Sequence, residues 1–221
     1  MKVENSELIY KAPNGTTQAL KGPLLDRAIN ALNNGASAET ILPIMRFMDN
    51  ISKNKLKDIR DELYQFMASG KMPITIDGCF LAYKRVRADF LDCHSGTMDN
   101  SPGKLVSMPQ DKVDTNRHNE CSRGLHFCSR DYLRSFGGAK TVVVKVNPRY
   151  VFAIPTDYNY AKGRASEYYV VGECKADAQA QELFLESYVF DENKQTAAPQ
   201  VEFIPTGLKV SLLAMAESYG L

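Results

Sequence analysis

The sequence predicts an α+β fold, with an N-terminal helical region of about three helices packed on a mixed, mostly antiparallel sheet domain. Three observations carry that expectation. Apolar residues recur at helical spacing between Pro23 and Gly70. From Ile74 onward they come instead in short runs separated by turn residues, beginning with an Asp77-Gly78 pair that signals a tight hairpin. Strands and helices show no regular alternation, which argues against a parallel sheet built from strand–helix–strand units. The chain divides accordingly into a hairpin and helical region over 1–72, a sheet domain over 73–174, and a C-terminal extension over 175–221 that packs on it.

In chain order, Glu7 to Tyr10 and Thr16 to Leu20 flank the turn-prone Pro13-Asn14-Gly15, so a small N-terminal hairpin is expected to dock on the rest of the chain. A first helix starts at Pro23, puts Leu24, Leu25, Ala28, Ile29 and Leu32 on one face, and stops at Gly35. The second carries Ile41, Ile44, Met45, Met48 and Ile51. Its cap is Ser37 or Thr40, and Thr40 is favoured because it leaves Pro43 in the first turn. A third helix, from about Lys55, turns Leu56, Ile59, Leu63, Phe66 and Met67 inward and ends at Gly70. Helices of this number and length bury too little to stand alone, so they should lean on the sheet or on a partner. Met45, Phe47, Met48, Phe66 and Met67 read as ordinary core in preference to an adaptable binding groove.

In the sheet domain Ile74 and Ile76 alternate with Thr75 before Asp77-Gly78, and the run from Cys79 to Val86 comes next. A loop-rich part from about Asp92 to Arg123 holds one short strand near Leu105 to Met108. Ser129 caps a short helix through Phe136, ended by Gly137-Gly138. Thr141 to Val146 saturates with valine, as a strand buried on both faces does, and Tyr150 to Ile154 and Tyr168 to Val171 add two more. Past Cys174, Glu182 to Phe190 fits helix or strand, Val201 to Ile204 reads as a strand, and Leu208 to Tyr219 reads as a helix.

Composition excludes several function classes. Lys+Arg 27 against Asp+Glu 26 gives a net charge of +1, so no global pull toward nucleic acid or an anionic membrane exists and any such binding is local. No apolar run reaches the roughly 18 residues of a membrane span, and MKVENSEL has no signal-peptide character, so the chain is expected to stay in the cytoplasm where it is made. Its 5 cysteines follow no disulfide framework and are expected to be reduced thiols.

The runs FLAYKRV, DCHSG with DNSPGK, CSRGLHFCS with a short YL helix, VKVNPRYV and IPTDYNYAKGR, in that order and spacing, resemble the rIIB proteins of large tailed bacteriophages. The resemblance covers the central block and, by pattern and position, the helical region from Gly22 to Gly70. It stops at Cys174. It implies an early phage accessory protein in the host cytoplasm that counteracts host or prophage-encoded exclusion and influences lysis timing. The partners it implies are a host or prophage defence protein or an rIIA-like phage protein. Self-association is a further option.

The chemistry-bearing residues concentrate between Ile74 and Gly172. Cys93, His94, His118, Cys121, His126 and Cys128 invite a zinc reading, yet no pair has the usual knuckle spacing, so buried or satisfied polar residues are preferred and no metal is assigned. A Cys–His nucleophile needs a third group to orient the imidazole, and no signature for one is present. Arg85, His126 and Glu167 at strand edges follow an order that resembles ADP-ribosyltransferase-like folds, without the other elements of that superfamily. Such an arrangement implies that the Arg and His hold phosphates or ribose while the Glu polarises a ribose hydroxyl. Basic residues also interleave with aromatics, in Tyr83 to Phe90, in Arg123 to Arg134 and in Tyr158 to Arg164, a pattern that serves a phosphorylated nucleotide or a single strand if the groups converge. The candidate ligand-binding residues are therefore Lys84, Arg85, Arg123, His126, Lys162, Arg164 and Glu167. No catalytic residue and no cofactor is assigned. The function expected is binding, with the CSRGLHFC loop and the AKGR segment as the recognition surface. A nucleotide or ADP-ribose-type ligand module, or an ADP-ribosyltransferase-like enzyme, is the alternative.

Overall fold

The structure, a computed structural model, describes residues 2–4, 7–11, 17–20, 38–69 and 72–174. At the N-terminus β1 (Lys2–Glu4), β2 (Glu7–Lys11) and β3 (Thr17–Leu20) form a three-stranded antiparallel sheet, with Leu8 opposite Leu20 and Lys11 opposite Thr17. The hairpin expected around Pro13-Asn14-Gly15 is thus present, with one further strand before it. The first expected helix and every element expected past Cys174 lie outside the described residues.

Helix α1 (Ala38–Ser52) starts earlier than the cap at Thr40 allows. Thr40 is its third residue, and Pro43 lies inside the helix. The missing N–H of Pro43 removes one intrahelical bond, a loss that the burial of Ile44, Met45, Phe47, Met48 and Ile51 outweighs. Helix α2 (Ile59–Ser69) starts four residues later than expected, because Asn54 holds the preceding loop. Its Oδ1 accepts from the Leu56 N–H at 2.8 Å, and its Nδ2 donates to the carbonyls of Pro148 at 2.9 Å and Val151 at 2.8 Å. One buried amide therefore ties the helical hairpin to the far edge of the sheet.

That sheet has seven strands: β4 (Phe80–Val86), β5 (Leu105–Ser107), β6 (Leu125–Cys128), β7 (Lys140–Val146), β8 (Val151–Ala153), β9 (Lys162–Ala165) and β10 (Glu167–Glu173). Their order is β5-β10-β7-β4-β6-β9-β8, and every ladder among them is antiparallel. Strand β7 pairs on both sides and buries Val142, Val143, Val144 and Val146 completely, which is why its sequence saturates with valine. Phe66 of α2 meets Phe80 at 5.9 Å and Phe127 at 5.3 Å between ring centroids, and Phe47 of α1 meets Phe80 at 6.4 Å. These edge-to-face contacts make helices and sheet share one core, in which each fully buried ring contributes about 2–3 kcal/mol.

The Asp77-Gly78 turn is one residue longer than a two-residue primed turn. Thr75 and Cys79 pair across Ile76-Asp77-Gly78, with the Gly78 N–H donating to the Thr75 carbonyl at 2.8 Å and Gly78 at φ +74°. A Cβ on Gly78 would collide with the backbone of Arg46 and Phe47, so the glycine also sets how closely α1 approaches. The helix in turn caps the hairpin: Asn50 Nδ2 donates to the carbonyls of Asp77 at 3.0 Å and Gly78 at 3.1 Å, and Arg46 donates to that of Ile76 at 2.8 Å.

Candidate functional site

Strand β9, the AKGR segment, is not announced by apolar alternation, and its two cations are buried. Gly163 between them admits the ring of Phe127, which would collide with a Cβ there. Across the β6–β9 ladder His126 faces Arg164 and Cys128 faces Lys162. Tyr83 of β4 pairs with Cys128, which brings Lys84 alongside. Four of the seven candidate residues, Lys84, His126, Lys162 and Arg164, therefore gather on three neighbouring strands.

Each of the four is turned inward and engaged. Arg164 is 1% exposed and donates through Nε to the Asp114 carbonyl at 3.1 Å, through Nη1 to that of Asn119 at 2.5 Å, and through Nη2 to that of Asn116 at 2.6 Å. A single guanidinium thus gathers three carbonyls of one loop, satisfying acceptors that burial would otherwise leave costly. Lys162 sits 2.5 Å from the Asp157 carboxylate and lies against the rings of Tyr132 at 5.3 Å and Tyr158 at 5.5 Å. Burial pushes its pKa down, and the Asp157 contact more than reverses that, so it stays charged. His126 Nε2 lies 2.7 Å from the Ser122 carbonyl, and burial with neighbouring cations lowers its pKa to about 4, so the ring is neutral near neutral pH and donates that bond.

Lys84 is the outlier. It is 6% exposed, donates to the His126 carbonyl at 3.0 Å, and lies against the rings of Tyr168 at 5.7 Å and Phe136 at 5.8 Å. Among the described residues no carboxylate makes an ion pair with it, and burial lowers its pKa to about 8.

The other three candidates stand apart. Arg85 donates to Thr141 Oγ1 at 3.1 Å and to the Gly138 carbonyl, at the end of the strands where Val142 faces Glu173. Glu167 opens β10 six residues before Glu173, opposite Ser107, so it sits about 20 Å along the sheet from the level of Arg85. Burial raises its pKa while Arg149 opposes the rise. Arg123 is exposed. The Arg–His–Glu order of the sequence therefore does not become one constellation, because β7 and β4 stand between β10 and β6.

The engaged cations shape two exposed features. One is the loop 114–123, internally braced by Asp114, which accepts from the Asn116 N–H at 2.8 Å and Asn119 Nδ2 at 2.7 Å and whose own N–H donates to the Arg123 carbonyl at 2.8 Å. It presents His118, Cys121 and Arg123 to solvent. The other is the turn Asp157–Tyr160, in which Tyr158, Asn159 and Tyr160 are all left-handed, at φ +49°, +55° and +58°. Sequence reasoning missed this turn. Three consecutive non-glycine residues in that region cost about 1–2 kcal/mol each, and nothing in the letters DYNY marks it.

Three of the thiols are held by burial or by backbone carbonyls. Burial raises the Cys128 pKa to about 12 and that of Cys79 as well, keeping both protonated, while Cys93 Sγ donates to the carbonyls of Gly137 at 3.3 Å and Arg85 at 3.6 Å. Among the described residues no three His, Cys, Asp or Glu side chains gather closely enough to hold a metal ion. No helix among them is long and apolar enough to cross a membrane.

The family model described as Bacteriophage T4 protein rIIB matches residues 15–185. A curated relative, Protein rIIB of Enterobacteria phage T4, is 40% identical over 173 residues, which is 77% of this chain and 53% of the relative. The chain spans about half the length of that relative. No solved structure matches.

Proposed function

This chain belongs to the phage rIIB family, and from that premise we propose that it is an accessory protein that acts in the infected cell by binding and not by turnover. Its role is to counteract host or prophage-encoded exclusion and to influence lysis timing. The partner is a protein, either a defence protein or an rIIA-like phage protein, met in the host cytoplasm. The recognition surface is the loop 114–123 beside the Asp157–Tyr160 turn.

One observation supports this reading above the others: Arg164 spends its guanidinium on three carbonyls of that loop, so a buried cation builds an exposed surface. Capture of a phosphate by Lys84, Lys162 and Arg164 is the weaker reading, since each would first have to give up an internal contact made in a buried setting. Transferase chemistry is weaker still, given the distance that separates Glu167 from Arg85.

The test is affinity capture from infected cells with wild-type protein and with an Arg123→Ala, His118→Ala double variant, both exposed positions that leave the core intact. A protein captured by the wild type and lost with the double variant is the expected result. Identical captured sets, or capture of nothing but carried-over metabolite, would overturn it.

A further inference from the structure

Arg117 joins three parts of the molecule through one side chain. Its Nη1 lies 2.5 Å from the Glu62 carboxylate and its guanidinium lies 5.7 Å from the centroid of the Tyr160 ring, so the loop 114–123, α2 and the Asp157–Tyr160 turn meet there. The fastening is one-sided: Nε of the same guanidinium is buried and makes no hydrogen bond. Glu62 also accepts from the Ile154 N–H. Burial nevertheless raises its pKa, with Arg117 and the Ile154 N–H opposing the rise and the neighbouring Asp58 carboxylate adding to it. The pair therefore sits where its anion is poorly favoured.

Beside the pair opens a cleft of about 240 Å³, lined by Asp58 and Asp61 together with Glu62, Arg117 and Tyr160. Asp58 precedes Glu62 by four residues, one helical turn, and Asp61 adjoins it in the chain. Both aspartates are exposed, and among the described residues neither makes an ion pair. One guanidinium thus shares a cleft with three carboxylates and has room to move between them. A pair with Glu62 bears a desolvation cost that offsets much of its attraction, whereas a pair with an exposed aspartate gains little and costs little. The two arrangements are therefore close in free energy, the condition for an element that occupies both.

We infer that Arg117 is a two-position latch, which ties the loop 114–123 to α2 through Glu62 and changes over to Asp58 and Asp61 across the cleft. The loop then shifts its seat on the helix without coming loose. The latch belongs to the chain on its own, so it and partner capture by the loop can fail separately.

Amide hydrogen exchange over 114–123 in the full chain tests it, with the β4 and β7 amides as the internal reference. Arg117→Ala removes the latch and should accelerate exchange in the loop by about 5-fold or more. Glu62→Gln removes one seat and keeps an acceptor for the Ile154 N–H, so exchange should stay within about 2-fold of wild type. Adding Asp58→Asn and Asp61→Asn to Glu62→Gln removes every seat and should match Arg117→Ala, a non-additivity that a fixed pair does not give. Should Arg117→Ala speed the β4 and β7 amides as well, Arg117→Gln, which keeps most of the stem, takes its place. The inference is overturned if Glu62→Gln alone matches the Arg117 variant, if the triple variant stays at the level of Glu62→Gln, or if loss of Arg117 leaves the loop as in wild type.

Discussion

Lys84 donates to the backbone carbonyl of His126 at 3.0 Å across the β4–β6 boundary and lies against two aromatic rings, with the Asp92 carboxylate near enough to favour its charge but not to pair with it. A buried ammonium without an ion-pair partner is costly, and burial outweighs the attraction of Asp92, so the fold carries a charge it would be more stable without. The folded-state pKa is lowered to about 8 from an ordinary 10.5, which means that the penalty is complete below pH 8 and is relieved as pH rises toward 10.5. Lys84→Met removes the charge at similar volume. Urea unfolding across that range should show the variant's stability relative to wild type falling, with rising pH, by on the order of 3 kcal/mol. A difference that does not change with pH would mean that Lys84 is not buried as a charge.

His126 imposes a second window, at lower pH. Its pKa falls to about 4 in the fold from an ordinary 6.5, so the unfolded chain binds more protons between those values and stability is lost as pH falls through them. Asp114, held down to about 2 by bonds from Ser122, Asn119 and the Asn116 N–H, loses its contribution only further below. His126→Gln should therefore flatten stability between pH 6.5 and 4 and leave the drop at lower pH in place. Urea midpoints at a few pH values in each window would separate the two.

Gly163 and Gly78 fail differently on substitution. At Gly163 the obstruction is a side chain, the Phe127 ring, so Gly163→Ala should destabilise by about 3 kcal/mol and Phe127→Leu in the same chain should recover part of that loss. At Gly78 the obstruction is the backbone of α1, and φ is +74°. Gly78→Ala should cost at least as much, and no side-chain change at Phe47 should recover it. Thermal unfolding of the four variants checks the contrast.

Much of the frame was legible in the letters, because it rests on periodicity. Valine saturation marked β7 as a strand buried on both faces, the Met and Phe residues of α1 and α2 fell in the core, and Asp77-Gly78 marked the turn on which α1 rests. The site was legible only as a set of residue types. The AKGR segment reads as part of a recognition surface, and the fact that β9 buries both cations depends on Asp157 and on three carbonyls up to fifty residues away in the chain. Pro43 misled for a related reason: core burial along α1 outweighs the one bond that the proline removes. The left-handed Asp157–Tyr160 turn has no glycine to announce it.

The most direct test of whether the buried cation builds the recognition surface is hydrogen exchange over 114–123 in wild type and in Arg164→Lys. A lysine keeps the charge but is unable to span the carbonyls of Asp114, Asn116 and Asn119 together. Selective acceleration of exchange in that loop, by about 10-fold or more with the β4 and β7 amides unchanged, is the expected result. Unchanged exchange in the loop, or acceleration spread evenly over the sheet, would contradict it.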